Sequence, residues 1–467
     1  LTVSKANLVL TSSDVSKTYD GGTTAAGTAV AAASTTLLGG DTATGGSFAF
    51  ADKNVGTANK TVNASGVTVN DGNGGNNYNI SYIDNTTSTI NKADLTVTAS
   101  AVTKTYDGTT SATGAGTVAA LAGAAAGELV DSAGTQAFLD KNAGVANKKV
   151  RASGVTIKDA SNADVTGNYN IAYIDNTLST INKASLTLAA ASDSKTYDGT
   201  TASAAAVSNS GLVGGDTVTA VQSFGSKNVM GAGGSTLSVD AGYTIADGNN
   251  GGNYNVTTTT AAGTINKASL TLAAVTDTKT YDATTASTAA VSKIGLAGGD
   301  TVTAVQSFGS KNVLGAGSST LSVDSGYTVN DGNSGNNYVV TSSGTAAGTI
   351  NKASLTLAAV TDTRTYDGTV ASSGVVGNSG LVGGDTVTAV QAFGSKNVMG
   401  SNGSTLSVAS YNLNDGNSGG NYNVTTTTAA GTINKATLNL TATPDDKVYD
   451  GTTLATASYS DNRIAGD

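Results

Sequence analysis

The residues best suited to chemistry are a lysine, a tyrosine and an aspartate that return together as Lys-Thr-Tyr-Asp-Gly or close variants, with tyrosines at Tyr19, Tyr106, Tyr197, Tyr281, Tyr366 and Tyr449. Lysines among carboxylates and asparagines admit one covalent reaction, an intramolecular Lys-Asn isopeptide bond, which needs all three groups buried together. Arg364 stands where the other copies carry lysine. That excludes a common role for the first-motif lysine and leaves Lys227 or Lys267 and their equivalents, whose plain reading is solvated strand-end lysines. A second set of polar residues runs from Asp71 to Tyr78, Asp247 to Tyr254, Asp331 to Tyr338 and Asp415 to Tyr422, as Asp-Gly-Asn followed by glycine and asparagine. Such loops offer oxygen ligands on a pliable backbone, as calcium sites do. Calcium loops, however, place three or more ligands at alternate positions and finish on a bidentate carboxylate, whereas each of these has a single carboxylate. The reading is an Asx-type hairpin, with calcium the alternative and no cofactor expected.

Other chemistries lack their parts. The chain has no His and no Cys, which removes the commonest general base, the commonest zinc ligand and every thiolate site. No glycine-rich phosphate loop precedes a helix, and any Ser or Thr nucleophile would lack a histidine. No catalytic, cofactor-binding or metal residue is therefore assigned, and the expectation is a non-enzymatic protein. Lys and Arg total 24 against 33 Asp and Glu, for a net charge of -9, with no basic cluster. This argues against nucleic acid and anionic lipid as partners. No apolar run approaches the roughly 18 residues that span a bilayer, so no membrane insertion is expected within this segment.

The elements that must position these groups come in a repeat. The tyrosines are spaced by 87, 91, 84, 85 and 83 residues. Between them recurs Gly-Asp-Thr followed by a Phe and then Lys-Asn, as in Gly299-Asp300-Thr301, Phe308 and Lys311-Asn312. The Asp-Gly-Asn loop comes next, then a Thr-rich run and an Ile-Asn-Lys-Ala exit with its lysine at Lys92, Lys183, Lys267, Lys352 and Lys435. So regular a period marks a tandem array. The boundaries read as 1–90, 91–181, 182–265, 266–350 and 351–433, with a truncated sixth repeat at 434–467. Leu1 to Ala6 aligns with the last strand of a preceding unit, so the chain reads as an excerpt of a longer array; completion of the half-repeat by strand donation is the alternative.

Within a repeat, Ser269-Leu270-Thr271-Leu272, Thr320-Leu321-Ser322-Val323 and Tyr327-Thr328-Val329 alternate at period two, and Gly-Asp and Gly-Asn clusters divide them. This predicts all-β, tandem Ig-like β-sandwich domains of about 85 residues arranged as an extended rod. A parallel β-helix is the alternative, although no sub-period of 20 to 25 residues is visible. The inward candidates are Leu270, Leu272, Tyr281, Val302, Val305, Phe308, Val313, Leu321, Val323, Tyr327, Val329, Tyr338, Val340 and Ile350. Tyr-Asp-Gly reads as an inward tyrosine and a turn; Ala283 in place of glycine implies that the turn does not strictly require positive φ. At this size a single domain is lean, so neighbour interfaces should matter. The exit passes between repeats without a flexible Gly/Ser or Pro stretch, which predicts domains that abut. At ~40 Å each, five make roughly 200 Å.

The ordered Tyr-Asp-Gly, Gly-Asp-Thr, Asn-Tyr and Ile-Asn-Lys-Ala motifs resemble the YDG repeat family and, more distantly, the MBG repeats. The resemblance covers essentially the whole chain. It implies an exported bacterial protein of the filamentous-haemagglutinin type, at the cell surface or secreted, with a role in adhesion or biofilm matrix. The implied partners are neighbouring domains, like chains in a fibre, or host and surface glycans or proteins. Ala283, Arg364 and the loose Gly127-Glu128-Leu129 of the second repeat depart from the motifs, which weakens any role for the motif residues themselves. Three functions follow: a passive stalk, a self-assembling filament pairing through edge strands, and a repeated adhesive array.

Overall fold

The computed structural model covers residues 1–467 and consists of strands joined by turns, with two short 3-10 segments, Ala124–Ala126 and Thr166–Asn168. It divides into two compact units. Residues 1–192, 203–223 and 237–261 form one, and residues 193–202, 224–236 and 262–467 form the other.

The fourth repeat, within the second unit, shows the plan. Its strands are β1 Ala268–Ala273, β2 Asp277–Thr280, β3 Ser292–Ile294, β4 Thr301–Thr303, β5 Gln306–Phe308, β6 Ser319–Val323, β7 Thr328–Asn330, β8 Tyr338–Ser342 and β9 Ala346–Asn351. One sheet has the order β3-β1-β8 and another β2-β9-β6-β5, while β4 and β7 form a two-stranded ribbon. β1 is antiparallel to β3 and parallel to β8; β2 is parallel to β9. Mixed pairing confined to one repeat excludes the parallel β-helix, in which equivalent strands of successive coils stack in one direction.

The same pairing recurs within the first unit, where Ala93–Thr98 lies parallel to Tyr169–Ile174, and Thr103–Thr105 lies parallel to the stretch from Thr180 to Asn182. In the fifth repeat the ribbon fuses with the larger sheet. Thr386–Phe393 and Ser404–Asn414 pair along their whole length through one bulge near Val390, so the sheet curls rather than ending.

Alternation explains the core. Leu270 and Leu272 of β1, Phe308 of β5, Leu321 of β6 and Ile350 of β9 are buried, each contributing on the order of 2 kcal/mol. Val302, Tyr281 and Tyr338 are buried with them, whereas Val313, Val323, Tyr327, Val329 and Val340 are only half-buried. Val305 contradicts expectation: it is 60% exposed. From Val302 to Phe308 the inward positions are the even-numbered ones, so Val305 faces out and its neighbour Gln306 faces in. The Gln306 amide accepts from the Val275 N–H at 2.8 Å and donates to the Val275 carbonyl at 2.9 Å. Val275 lies in the break between β1 and β2, where the chain changes sheets, and the glutamine supplies the pairing the backbone has lost there.

Cores continue across repeat boundaries. Tyr281, Phe308, Leu321 and Ile350 pack in one cluster with Leu355, Leu357, Leu413 and Tyr422 of the following repeat. In the first unit Tyr19, Phe50, Val62 and Ile90 cluster with Leu95, Ile157 and Tyr169. A single residue, Lys352, separates the end of β9 from the next repeat's first strand, Ala353–Ala358.

Candidate functional site at the repeat junctions

The recurrent motif residues meet at the junctions, each made by parts of two successive repeats. Tyr281 directly follows β2 and is held in line when its N–H donates to the Asn351 carbonyl at 2.8 Å. Its hydroxyl donates to Oδ2 of Asp385, from the next repeat's Gly-Asp-Thr, at 2.9 Å. Tyr422, from that repeat's Asn-Tyr, donates to the same oxygen at 2.7 Å. The two rings meet edge to face, centroids 5.5 Å apart at 75°, an arrangement worth about 1 kcal/mol beyond burial.

The arrangement recurs. Tyr197 and Tyr338 share Asp300 at 2.9 and 2.7 Å, and in the first unit Tyr106 and Tyr254 share Asp216 at 3.0 and 2.6 Å. Tyr19 and Tyr169 share Glu128. The loose Gly-Glu-Leu of the second repeat thus supplies the same acceptor. Its 3-10 turn carries the longer side chain into the same place, with the Gly123 N–H donating to the Tyr169 hydroxyl at 3.1 Å. Tyr366 bonds Asp467 at 2.6 Å, which repeats the first half of the pattern.

These carboxylates are buried: Asp300 and Glu128 have side chains 2% and 0% exposed. Burial is tolerated because two hydroxyls donate to each and a lysine flanks it, Lys227 at 3.4 Å from Asp300 and Lys53 at 3.9 Å from Glu128. Lys227 is therefore a junction residue rather than a merely solvated strand-end lysine. For the tyrosines, burial first and the carboxylate hydrogen bond second push the hydroxyls of Tyr169, Tyr254 and Tyr422 up to about 12. Tyr19, Tyr281 and Tyr338 move in the same direction for the same reasons.

The Asp-Gly-Asn loop forms the other half of the junction. Oδ1 of Asp331 accepts the N–H of Asn333 and Gly335, and Oδ2 that of Asn337, at 2.8, 2.9 and 3.1 Å. Burial alone would raise this carboxyl, but the three N–H donors outweigh it and hold the group below its ordinary range. The carboxylate thus faces its own backbone, as an Asx-type loop requires. The folded loop aims Asn337 at the preceding repeat, where its side chain accepts from the Val229 N–H at 2.9 Å and donates to Asn228 at 3.1 Å. Asn421 does the same with Val313 and Asn312, Asn253 with Ala143 and Asn142, and Asn168 with Val55 and Asn54.

The first-motif lysine holds its own turn. Lys279 donates to Asp282 at 2.7 Å, to the carbonyls of Thr284 and Ala286, and lies over the Phe308 ring. Arg364 keeps this role with a guanidinium, bonding Thr369 and the Ala371 carbonyl above Phe393. The turn also corrects the expectation for Ala283, which adopts φ +62, in the same left-handed region as Gly199 and Gly368 at φ +80 and +77. The turn requires positive φ, and the alanine is forced into it.

Sequence reasoning missed that the three motifs serve one another. The available signal was polar residues recurring at fixed offsets inside apolar patterns: Asp300, Asn337 and Asn421 are all buried, and the Asp385 side chain is 6% exposed. What the geometry defines is an array of β domains fastened through buried polar junctions. The YDG domain matches this chain five times, at residues 4–88, 91–177, 182–261, 266–346 and 351–429, and the chain belongs to the YDG domain family. No curated protein matches it. Among solved structures, one similar over 93% of this chain and 98% of its own is the crystal structure of Dscam1 isoform 9.44, N-terminal four Ig domains (with zinc), at 7% identity and a TM-score of 0.12; that score carries no argument about fold.

Proposed function

We propose that this chain is a structural stalk segment of a secreted or cell-surface bacterial adhesin of the filamentous-haemagglutinin type, without catalytic activity, that projects a distal element by end-to-end packed domains. Tandem YDG repeats make a repeated structural or adhesive array. The observation that favours the stalk is the shared buried carboxylate at the junctions, which ties two tyrosines from successive repeats to one acceptor. With a one-residue linker and cores continuous across the boundary, bending at such a junction would strip buried polar groups of partners, at about 1–3 kcal/mol each.

The filament reading has support of its own in β8, which pairs with β1 on one side only and carries an exposed, uncharged edge. Small-angle scattering on the 467-residue chain at several concentrations separates the two. An elongated particle of about 200 Å at every concentration supports the stalk. Growth with concentration supports the filament, and a compact particle overturns both.

A further inference from the structure

We infer that each repeat is a mechanical clamp loaded in shear, so that a pull along the chain is resisted by its second and last strands, β2 and β9 in the fourth repeat. The inference rests on the structural reading above and adds a direction of force and the strands that oppose it.

In the fourth repeat the entering segment β2 and the leaving strand β9 run parallel, with Asp277 opposite Gly348, Thr278 opposite Thr349, Lys279 opposite Ile350 and Thr280 opposite Asn351. Once β1, which precedes β2 in the chain, has been drawn off, tension draws the start of β2 one way and the end of β9 the other. Because the strands are parallel, those two points lie at opposite ends of the pair. The strands must slide past one another, and their evenly spaced hydrogen bonds take the load together. An antiparallel pair pulled at one end would instead open one bond at a time.

The same pair exists in every complete repeat: Ser16–Thr18 against Thr89 to Asn91, Thr103–Thr105 against Thr180 to Asn182, Ser194–Thr196 against Thr264 to Asn266, and Thr363–Thr365 against Thr432 to Asn434. The equivalent bonds are short throughout: Thr89 N–H to the Val15 carbonyl at 2.7 Å, Thr180 to Val102 at 2.8 Å, Thr264 to Asp193 and Thr432 to Asp362 both at 2.9 Å. The first strand is also parallel to the strand of the Asn-Tyr motif, as β1 is to β8.

Two motif residues fasten β2 beyond its ladder. Lys279 ties it to the following turn and lies over Phe308, whose strand β5 belongs to the same sheet. Tyr281, one residue past its end, is anchored on Asp385 of the next repeat. A segment only four residues long is thereby secured at both the turn and the junction.

Stretching single molecules of the whole chain between end-attached handles tests this, since forced unfolding reports the barrier directly. Five steps of similar force are expected, each releasing about 85 residues, or about 300 Å less the folded span. Lys279→Pro, in the fourth repeat alone, removes a backbone N–H from the β2–β9 ladder together with the ammonium that ties β2 to its turn. One step should then fall about twofold in force while the others stay as internal standards. Five unchanged steps overturn the clamp, even if scattering has upheld the stalk. Should the variant repeat not fold, four steps remain and a second pull decides. Cysteine handles at Thr301 and Asn330, opposite one another in an antiparallel pair, should open the otherwise unaltered repeat at a clearly lower force than end-to-end pulling. Equal forces in the two directions overturn the inference.

Discussion

Ala283 occupies a left-handed turn at φ +62, while Gly21, Gly108, Gly199, Gly368 and Gly451 hold φ between +75 and +80 in the other copies. A Cβ in this region costs about 1–2 kcal/mol, partly offset because glycine loses more entropy on folding. Ala283→Gly should therefore stabilise the fourth repeat by about 0.5–1 kcal/mol, read as a higher denaturant midpoint; a lower midpoint would mean that the methyl group makes a contact worth more than the strain. The junction carboxylate is the more costly residue to lose. Asp385→Ala leaves the hydroxyls of Tyr281 and Tyr422 without their acceptor and should cost about 2–4 kcal/mol, whereas Tyr281→Phe removes one donor from an acceptor that keeps another and should cost about 1 kcal/mol. Equal losses in the two variants would show that the carboxylate does not serve both tyrosines. None of this pairing was legible from any one motif, because alternation marks apolar side chains and is silent on a buried aspartate whose partner Tyr281 lies 104 residues away in sequence.

Among the elements, the strand pattern was readable where one face is apolar, as in β1, and was misread at β5, where a glutamine takes an inward position and pushes Val305 outward. The reason is local to the break between β1 and β2: a chain that changes sheets leaves a peptide unpaired, and the Gln306 amide matches the donor and acceptor of Val275 at once. Gln222 does this for Ala191 and Gln391 for Val360. The first repeat places Phe48 at the corresponding position, two residues before Phe50. Gln306→Leu keeps the volume and loses both hydrogen bonds to Val275 and a third to the Ser287 hydroxyl, so it should destabilise the fourth repeat by about 2–3 kcal/mol and speed amide exchange at Val275. Retention of slow exchange there would show that the backbone does not depend on the glutamine. The parallel pairing of second and last strands was likewise not readable, because alternation fixes which face a residue takes but not which strand lies beside it.

For the molecule as a whole, the junctions decide whether neighbouring repeats unfold together, since in a tandem array stability is the sum of repeat and interface terms. Those interfaces contain eight tyrosines in four edge-to-face pairs, out of 17 in the chain, and alkaline pH addresses them selectively. In the unfolded chain a tyrosine titrates at its ordinary value of 10.0, whereas Tyr169, Tyr254 and Tyr422 are pushed up to about 12 in the junctions, by burial and then by the carboxylate they bond. A raised folded value means that the junction contribution is complete below about pH 10 and is lost as pH rises through about 12. Calorimetry should accordingly show coupled unfolding of the repeats at neutral pH and a splitting into separate transitions between about pH 10 and 12. Over the same range the tyrosinate absorbance of Tyr169, Tyr254 and Tyr422 should appear only as pH nears about 12. Asp385→Ala should bring the ionisation of Tyr281 and Tyr422 part of the way down toward the ordinary value, because burial still raises it but the carboxylate that also opposes it is gone. Ionisation of the junction tyrosines near 10, with the transitions still coupled above it, would place the cohesion of the array in its apolar contacts alone.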